Sequence, residues 1–142
     1  MIYFVDASAL VKRYVREPGT DAVRSLFSRG KKLAASRITA VEVPAALARR
    51  ARSGDLDERL AMKQAARVAA DLGNMYLVEL RREVVRIANE LVWRHAMRAY
   101  DAVQLASALH LKSATGISMT FVCADRMLSD AAENESLRVL FT

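Results

Sequence analysis

Asp6, Glu42, Asp101 and Asp125 are the residues of this chain whose type and placement could do chemistry together. Three or four carboxylates held close repel one another and raise one another's proton affinity. A divalent cation removes that cost. An all-oxygen donor set favours Mg2+ or Mn2+ over zinc, and such ions take few protein ligands and keep several waters. One of those waters can become a hydroxide nucleophile while the ion offsets the charge of a phosphate in flight. The chemistry expected of the four acids is therefore phosphodiester hydrolysis. A single cysteine, Cys123, and two histidines, His95 and His110, exclude an intramolecular disulfide, a cysteine-built zinc cluster and a histidine-rich centre. Hydrolysis of this kind needs no imidazole, and both histidines are expected on helix surfaces.

The acids gain meaning from the elements that must carry them. Ile2 to Val5 is a short apolar, β-rich run ending at Asp6, the mark of a buried strand. Leu33 to Ala35 is a weaker second strand and Met75 to Leu80 a third. Met119 to Cys123 is the fourth, followed by Ala124 and Asp125, and Leu137 to Leu140 the fifth. Between them apolar residues recur at helical spacing. Ser8 is expected to cap the helix ALVKRYVRE, which Pro18-Gly19 breaks, and Thr20 to start a second. Thr39 is expected to open AVEVPAALARRAR, with Glu42 in the capping-box position and Pro44 early in the helix. Asp55 opens a long helix closed by Gly73. Two more run from about Arg82 to His95 and about Ala99 to Ala114. Strands alternating with helices predict a parallel sheet covered on both faces. Helix outweighs strand, and the doubled helices 8–17 with 20–29 and 39–53 with 55–72 suggest a helical hairpin added to the sandwich.

In open α/β sheets, ligands bind at the carboxyl ends of the strands. Asp6 follows the first strand directly, Asp125 follows the fourth after one residue, and Glu42 lies in the first turn after the second. Topology alone brings these three to one edge. Asp101 begins the helix YDAVQLASAL, which must pack back on the sheet, so its start is expected at the same edge. Each acid has a structural reading as well. Asp6 could end a strand or make a turn, Glu42 could complete a capping box, and Asp101 and Asp125 could be acids favoured by a helix N-terminus. Their joint arrival favours a shared site.

The bulk numbers fit one domain, 1–142. The chain has 142 residues, 53% hydrophobic and 27% charged, which is globular rather than disordered. The net charge of +6 suggests a polyanionic partner. No apolar run approaches the roughly 18 to 20 residues of a membrane span, and MIYFVDASAL lacks the basic and apolar regions of a leader. The expectation is a soluble cytoplasmic protein. Arg49, Arg50, Arg52, Arg94 and Arg98 could guide phosphates, because the guanidinium fork bonds two oxygens. Arg98 lies three residues before Asp101, on its side of a helix. Cys123 is expected to be an inert buried thiol. Trp93, Tyr14 and Phe27 are expected in the core or a partner groove. Leu47, Leu60, Met62, Val68 and Leu72 give the hairpin apolar faces that could pack on the sheet or hold a partner helix.

Four segments resemble the PIN-domain ribonucleases, specifically the VapC-type toxins of toxin–antitoxin pairs: YFVDASALVKRYVRE, SRITAVEVPAALARR, MRAYDAVQLASALHL and TFVCADRMLSDAA. They span nearly the whole chain in the family's order, and the first and third are the most specific. The resemblance implies a three-layer α/β/α sandwich with a central parallel sheet of four to five strands. It implies that Asp6, Glu42, Asp101 and Asp125 form the family's acidic metal-binding quartet, taking Mg2+ or Mn2+. Ser8 matches the hydroxyl residue of the first motif, and Thr39 the small hydroxyl residue before the glutamate. Asp130 falls near the fourth motif, where a solvated helix face is its expected place. The implied activity is endoribonuclease action by the toxin of such a pair. An antitoxin protein would block the site, and the toxin would form a homodimer.

Other readings are a PIN-type nuclease for RNA processing or for DNA, a receiver-like Mg2+-binding signalling domain, and a non-catalytic module. A receiver needs an acceptor Asp after the third strand, where this chain reads VELRRE.

Overall fold

In the computed structural model, which describes residues 1–142, five strands form one sheet. They are β1 (Ile2–Val5), β2 (Lys32–Ser36), β3 (Tyr76–Val78), β4 (Met119–Cys123) and β5 (Arg138–Phe141). Their order is β3-β2-β1-β4-β5 and every pairing is parallel. β1 and β4 lie at the centre, buried on both faces, which is why they read as nearly unbroken apolar runs. Side chains alternate across the sheet. Phe4 and Phe121 are register partners on one face, with stacked rings 5.8 Å apart, while Val5 and Val122 are partners on the other.

Helices cover both faces. The elements α1 (Ala7–Leu10), α2 (Thr20–Ser25), α3 (Thr39–Arg52) and α4 (Glu58–Leu72) pack on the Val5 side. On the Phe4 side lie α5 (Arg82–Arg94), α6 (Ala99–Thr115) and α7 (Arg126–Asn134). This is the expected helix-rich three-layer sandwich, with α3 and α4 as the added hairpin. The strand order also answers the receiver-like reading, which requires 2-1-3-4-5. No helix is long and apolar enough to cross a membrane.

Several local expectations are corrected. The first helix is a single turn followed by a 3-10 turn, Val11–Arg13, not a helix to residue 17. The chain turns there because Tyr14 is buried and its hydroxyl donates to Asp71 of α4 at 2.8 Å, while Arg13 Nε bonds the same carboxylate at 2.7 Å. Ser8 does not cap α1. Asp6 does, accepting the Ser8 N–H at 3.0 Å. Ile38 stands before α3 with no side-chain cap, so Thr39 and Glu42 form no capping box. Asp57, not Asp55, caps α4 by accepting the Leu60 N–H at 3.1 Å. Trp93 is 87% exposed rather than in the core. The buried stripe of α5 is Val84, Ala88 and Leu91, and Trp93 falls off it. Of the hairpin residues, Leu47, Val68 and Leu72 are buried, whereas Leu60 and Met62 face outward.

Candidate active site

The site grows from the carboxyl ends of β1 and β4. The chain leaves β1 into α1 at Asp6, and Asp6 Oδ2 accepts both the N–H and the hydroxyl of Ser8. The Ser8 hydroxyl oxygen in turn accepts the Ala124 N–H at 2.9 Å. One serine therefore joins the ends of the two central strands. Asp125 caps α7, its carboxylate accepting the Leu128 N–H at 2.9 Å.

The other two acids come from helices. Glu42 lies in the first turn of α3 and Asp101 in the first turn of α6, which Arg98 precedes as its N-cap. Glu42, Asp101 and Asp125 line one cleft of about 1020 Å3 together with Arg49, Arg98 and Tyr100. Asp6 does not line it. Asp6 is only 2% exposed, yet its charge is felt together with those of Glu42 and Asp101. The structure thus draws all four predicted acids into one electrostatic cluster, with Asp6 buried, Glu42 and Asp101 half-buried and Asp125 exposed.

The charge balance of this cluster differs from that of the other acids. Burial pushes Asp6 up from 3.8 to about 7, against the two Ser8 hydrogen bonds, and Glu42 and Asp101 add to the rise. Burial also raises Glu42, opposed by a hydrogen bond from Gln104 and reinforced by Asp101. Asp101 is raised by burial and then by Asp125, with the Arg98 charge and backbone N–H opposing. None of the four acids is in an ion pair. By contrast, Arg37 holds Glu79, and Arg86 holds Glu83, below the usual carboxylate range. No cation pairs directly with these acids, whereas acids elsewhere in the fold have such a partner; Arg98 acts on Asp101 without an ion pair.

A divalent cation fits that deficit and the all-oxygen donor chemistry. No three acid, histidine or cysteine side chains form a set that could hold a metal ion by themselves. Mg2+ does not require one, because it is usually held by one or two carboxylates and keeps its waters. Asp6, Glu42 and Asp101 are the residues from which its one or two carboxylate ligands would come. Asp125 is the outermost acid and is partly committed to its helix.

Of the remaining candidates, Thr39 is fully buried, and its hydroxyl accepts from Gln104 Nε2 at 2.9 Å. Arg98 reaches the cleft and acts on Asp101. Arg50 is tied to Glu17 at 2.6 Å, while Arg49 faces the cleft in no ion pair. His95 contacts Glu135 at 2.7 Å and is half-buried rather than on an open surface. Burial pushes the Cys123 thiol up to about 12, as expected for an inert thiol. Asp130 is exposed on α7.

One residue of the site escapes the sequence reading. Gln104 is fully buried, and its amide nitrogen donates to Glu42 Oε1 at 3.0 Å as well as to Thr39. Its Oε1 is buried and accepts from no protein donor, which costs about 1–3 kcal/mol. The available signal was a polar residue three positions after Asp101 within the otherwise apolar run Ala102 to Ala106, the spacing that shares a face.

Comparison with known proteins agrees with this fold. The PIN domain family matches residues 3–134. Ribonuclease VapC49 of Mycobacterium tuberculosis is 38% identical over 113 residues, covering 77% of this chain and 75% of that protein. Ribonuclease VapC46 of the same organism is 30% identical over 138 residues, covering 96% and 95%. Among solved structures, VapBC2 from Rickettsia felis, bound to a DNA fragment from its promoter, superimposes with a TM-score of 0.69 at 12% identity. That match covers 100% of this chain and 99% of the other, and it speaks for the fold alone. With the sheet order, the acids at its carboxyl edge and a family match over nearly the whole length, this chain belongs to the PIN domain family.

Proposed function

We propose that the chain is a metal-dependent endoribonuclease and the toxic component of a toxin–antitoxin pair. The observation that carries the reading is the cluster of four unpaired acids at the carboxyl edge of the sheet, on a chain of net charge +6. Support comes from relatives named Ribonuclease VapC and from a fold shared with VapBC2 of Rickettsia felis.

Hydrolysis adds the oxygen of water to phosphorus and breaks the bond to O3′, leaving a 5′-phosphate and a 3′-hydroxyl. When bound, Mg2+ or Mn2+ supplies positive charge against the phosphate and acidifies water. Asp6, Glu42 and Asp101 would supply the ligands of the ion, and Asp125 would complete the acidic rim. Ser8 holds Asp6 in place and favours its ionised form. Arg98 and Arg49 face the phosphates. Exposed Tyr100, Val41 and Met127 give the cleft an apolar wall against which unstacked bases can rest. Residues 1–142 act as one PIN-like unit in the cytoplasm, as a homodimer, with an antitoxin protein that blocks the cleft.

The test is expression of wild type beside Asp6→Asn. Wild type is expected to arrest growth and cleave RNA, and Asp6→Asn to do neither. Equal arrest by both, or RNA cleavage that survives chelation, defeats the reading. A gene neighbourhood with no small DNA-binding partner would favour an RNA-processing role instead.

A further inference from the structure

The buried residues of helix α6 are mostly Ala and Leu, but Asp101, Gln104 and Ser107 follow one another at three-residue spacing and so share a face. Ser107 meets the Ser36 hydroxyl of β2 at 3.2 Å. Gln104 lies between this core contact and the cleft, with no exposed surface. Its amide nitrogen reaches two residues of α3, Thr39 at 2.9 Å and Glu42 at 3.0 Å. An ionised carboxylate offers only acceptors, so Glu42 fixes which end of the amide faces it. The same choice leaves Gln104 Oε1 buried without a protein donor. An apolar side chain of equal size would carry no such cost. The amide is placed where it serves Glu42 at the expense of its own oxygen.

We propose that Gln104 is a positioning residue: it holds Glu42 Oε1 so that the other carboxylate oxygen is free for a divalent cation at the acidic edge. The inference rests on the metal-dependent reading above. Partners that orient a ligand carboxylate typically govern metal affinity about 10-fold or more. Asp101 and Gln104 share one rigid helix, so the bond also fixes Glu42 of α3 relative to Asp101 of α6.

The experiment titrates Mn2+ into the purified full chain by calorimetry and follows thermal melting by circular dichroism. Gln104→Met, which keeps the volume and removes the donor, is expected to weaken Mn2+ about 10-fold. Its melting midpoint is expected to stay within about 3 °C of the wild type. Ser107→Ala, on the same face with no bond to Glu42, is expected to leave Mn2+ affinity within about twofold. In a Glu42→Gln background, Gln104→Met is expected to add nothing. Gln104→Asn, whose shorter amide cannot reach Glu42, is a second test should the Met variant not fold.

A folded Gln104 variant that binds Mn2+ like the wild type overturns the proposal, as does a loss that persists undiminished in the Glu42→Gln background. Either result leaves the nuclease reading standing. A wild type that binds no Mn2+ defeats that reading, and the positioning role with it.

Discussion

Ser8 accepts the backbone N–H of Ala124 at 2.9 Å while its own hydroxyl proton goes to Asp6. This single side chain ties the ends of β1 and β4 and steadies the most buried acid of the site. Ser8→Ala removes the acceptor from Ala124 and the hydroxyl bond that opposes protonation of Asp6, while the backbone N–H bond stays. The expected loss of stability is about 1–3 kcal/mol. Because Asp6 then holds its proton more tightly, the rise of RNA cleavage with pH is expected to move to higher pH. Denaturant melts and a pH–rate profile check both, and an unshifted profile counts against the role.

Asp6 also makes a prediction about the chelated protein. Its carboxyl titrates at about 7 in the fold against an ordinary value of 3.8. Between these limits the folded state keeps a proton that the unfolded state has released. Stability from this group therefore falls as pH rises through that window. Asp6→Asn has no charge to bury, so its stability relative to wild type is expected to increase steadily across the window. Melting curves in chelator at several pH values measure the difference. A constant difference would show that Asp6 is not held in the protonated form.

The Arg13–Asp71–Tyr14 contact carries the opposite sign. Burial alone would raise the Asp71 carboxyl, but the hydrogen bonds from Arg13 and Tyr14 outweigh it and hold Asp71 below its ordinary value. Its contribution is present above the ordinary carboxylate value and disappears as pH falls through the folded one. Asp71→Ala is expected to cost about 1.5–3 kcal/mol at neutral pH, as for hydrogen bonds to a charged group. The gap from wild type should close in acid, and melts at neutral and acid pH measure it.

Phe4 and Phe121 stack at 5.8 Å across the central strand pair, both fully buried. Phe121→Ala is expected to destabilise by about 3–5 kcal/mol through lost transfer energy and the cavity left behind. Equilibrium unfolding in urea checks the value. The same substitution should leave Mn2+ affinity nearly intact at temperatures where the variant is folded.

Arg49 and Arg50 are neighbours with different expected roles. Arg50 is paired with Glu17, whereas Arg49 faces the cleft unpaired. Arg49→Ala is expected to weaken RNA binding and lower the slope of log affinity against log salt by about 1. Arg50→Ala should change that slope less and stability more. Binding of a single-stranded RNA to the Asp6→Asn protein over a salt series separates the two.

Much of the site could be read from the chain alone. The apolar runs before Asp6 and Asp125 can form only buried strands, so both acids had to emerge at strand ends. The residues Thr39 to Glu42 follow a strand and open a helix, which brings Glu42 to the same edge. Alternation of strand and helix implied a parallel sheet, and parallel strands share one carboxyl edge. These conclusions follow from local periodicity and connectivity, which are properties of neighbouring residues.

Other features depend on contacts between residues far apart in the chain. The order β3-β2-β1-β4-β5 is set by packing among strands as much as 117 residues apart, as Ile2 is from its partner Met119, and it separates this fold from a receiver. Caps expected at Ser8 and Thr39 did not form, because Asp6 accepts the Ser8 N–H and Gln104 engages Thr39 and Glu42. Asp6 follows its strand as expected, but its burial and raised proton affinity come from contacts that no local pattern reveals. Gln104 is separated from Glu42 by 62 positions. A side chain's partners across such a distance are chosen by how helices dock on the sheet, and docking is invisible to the periodicity of either helix.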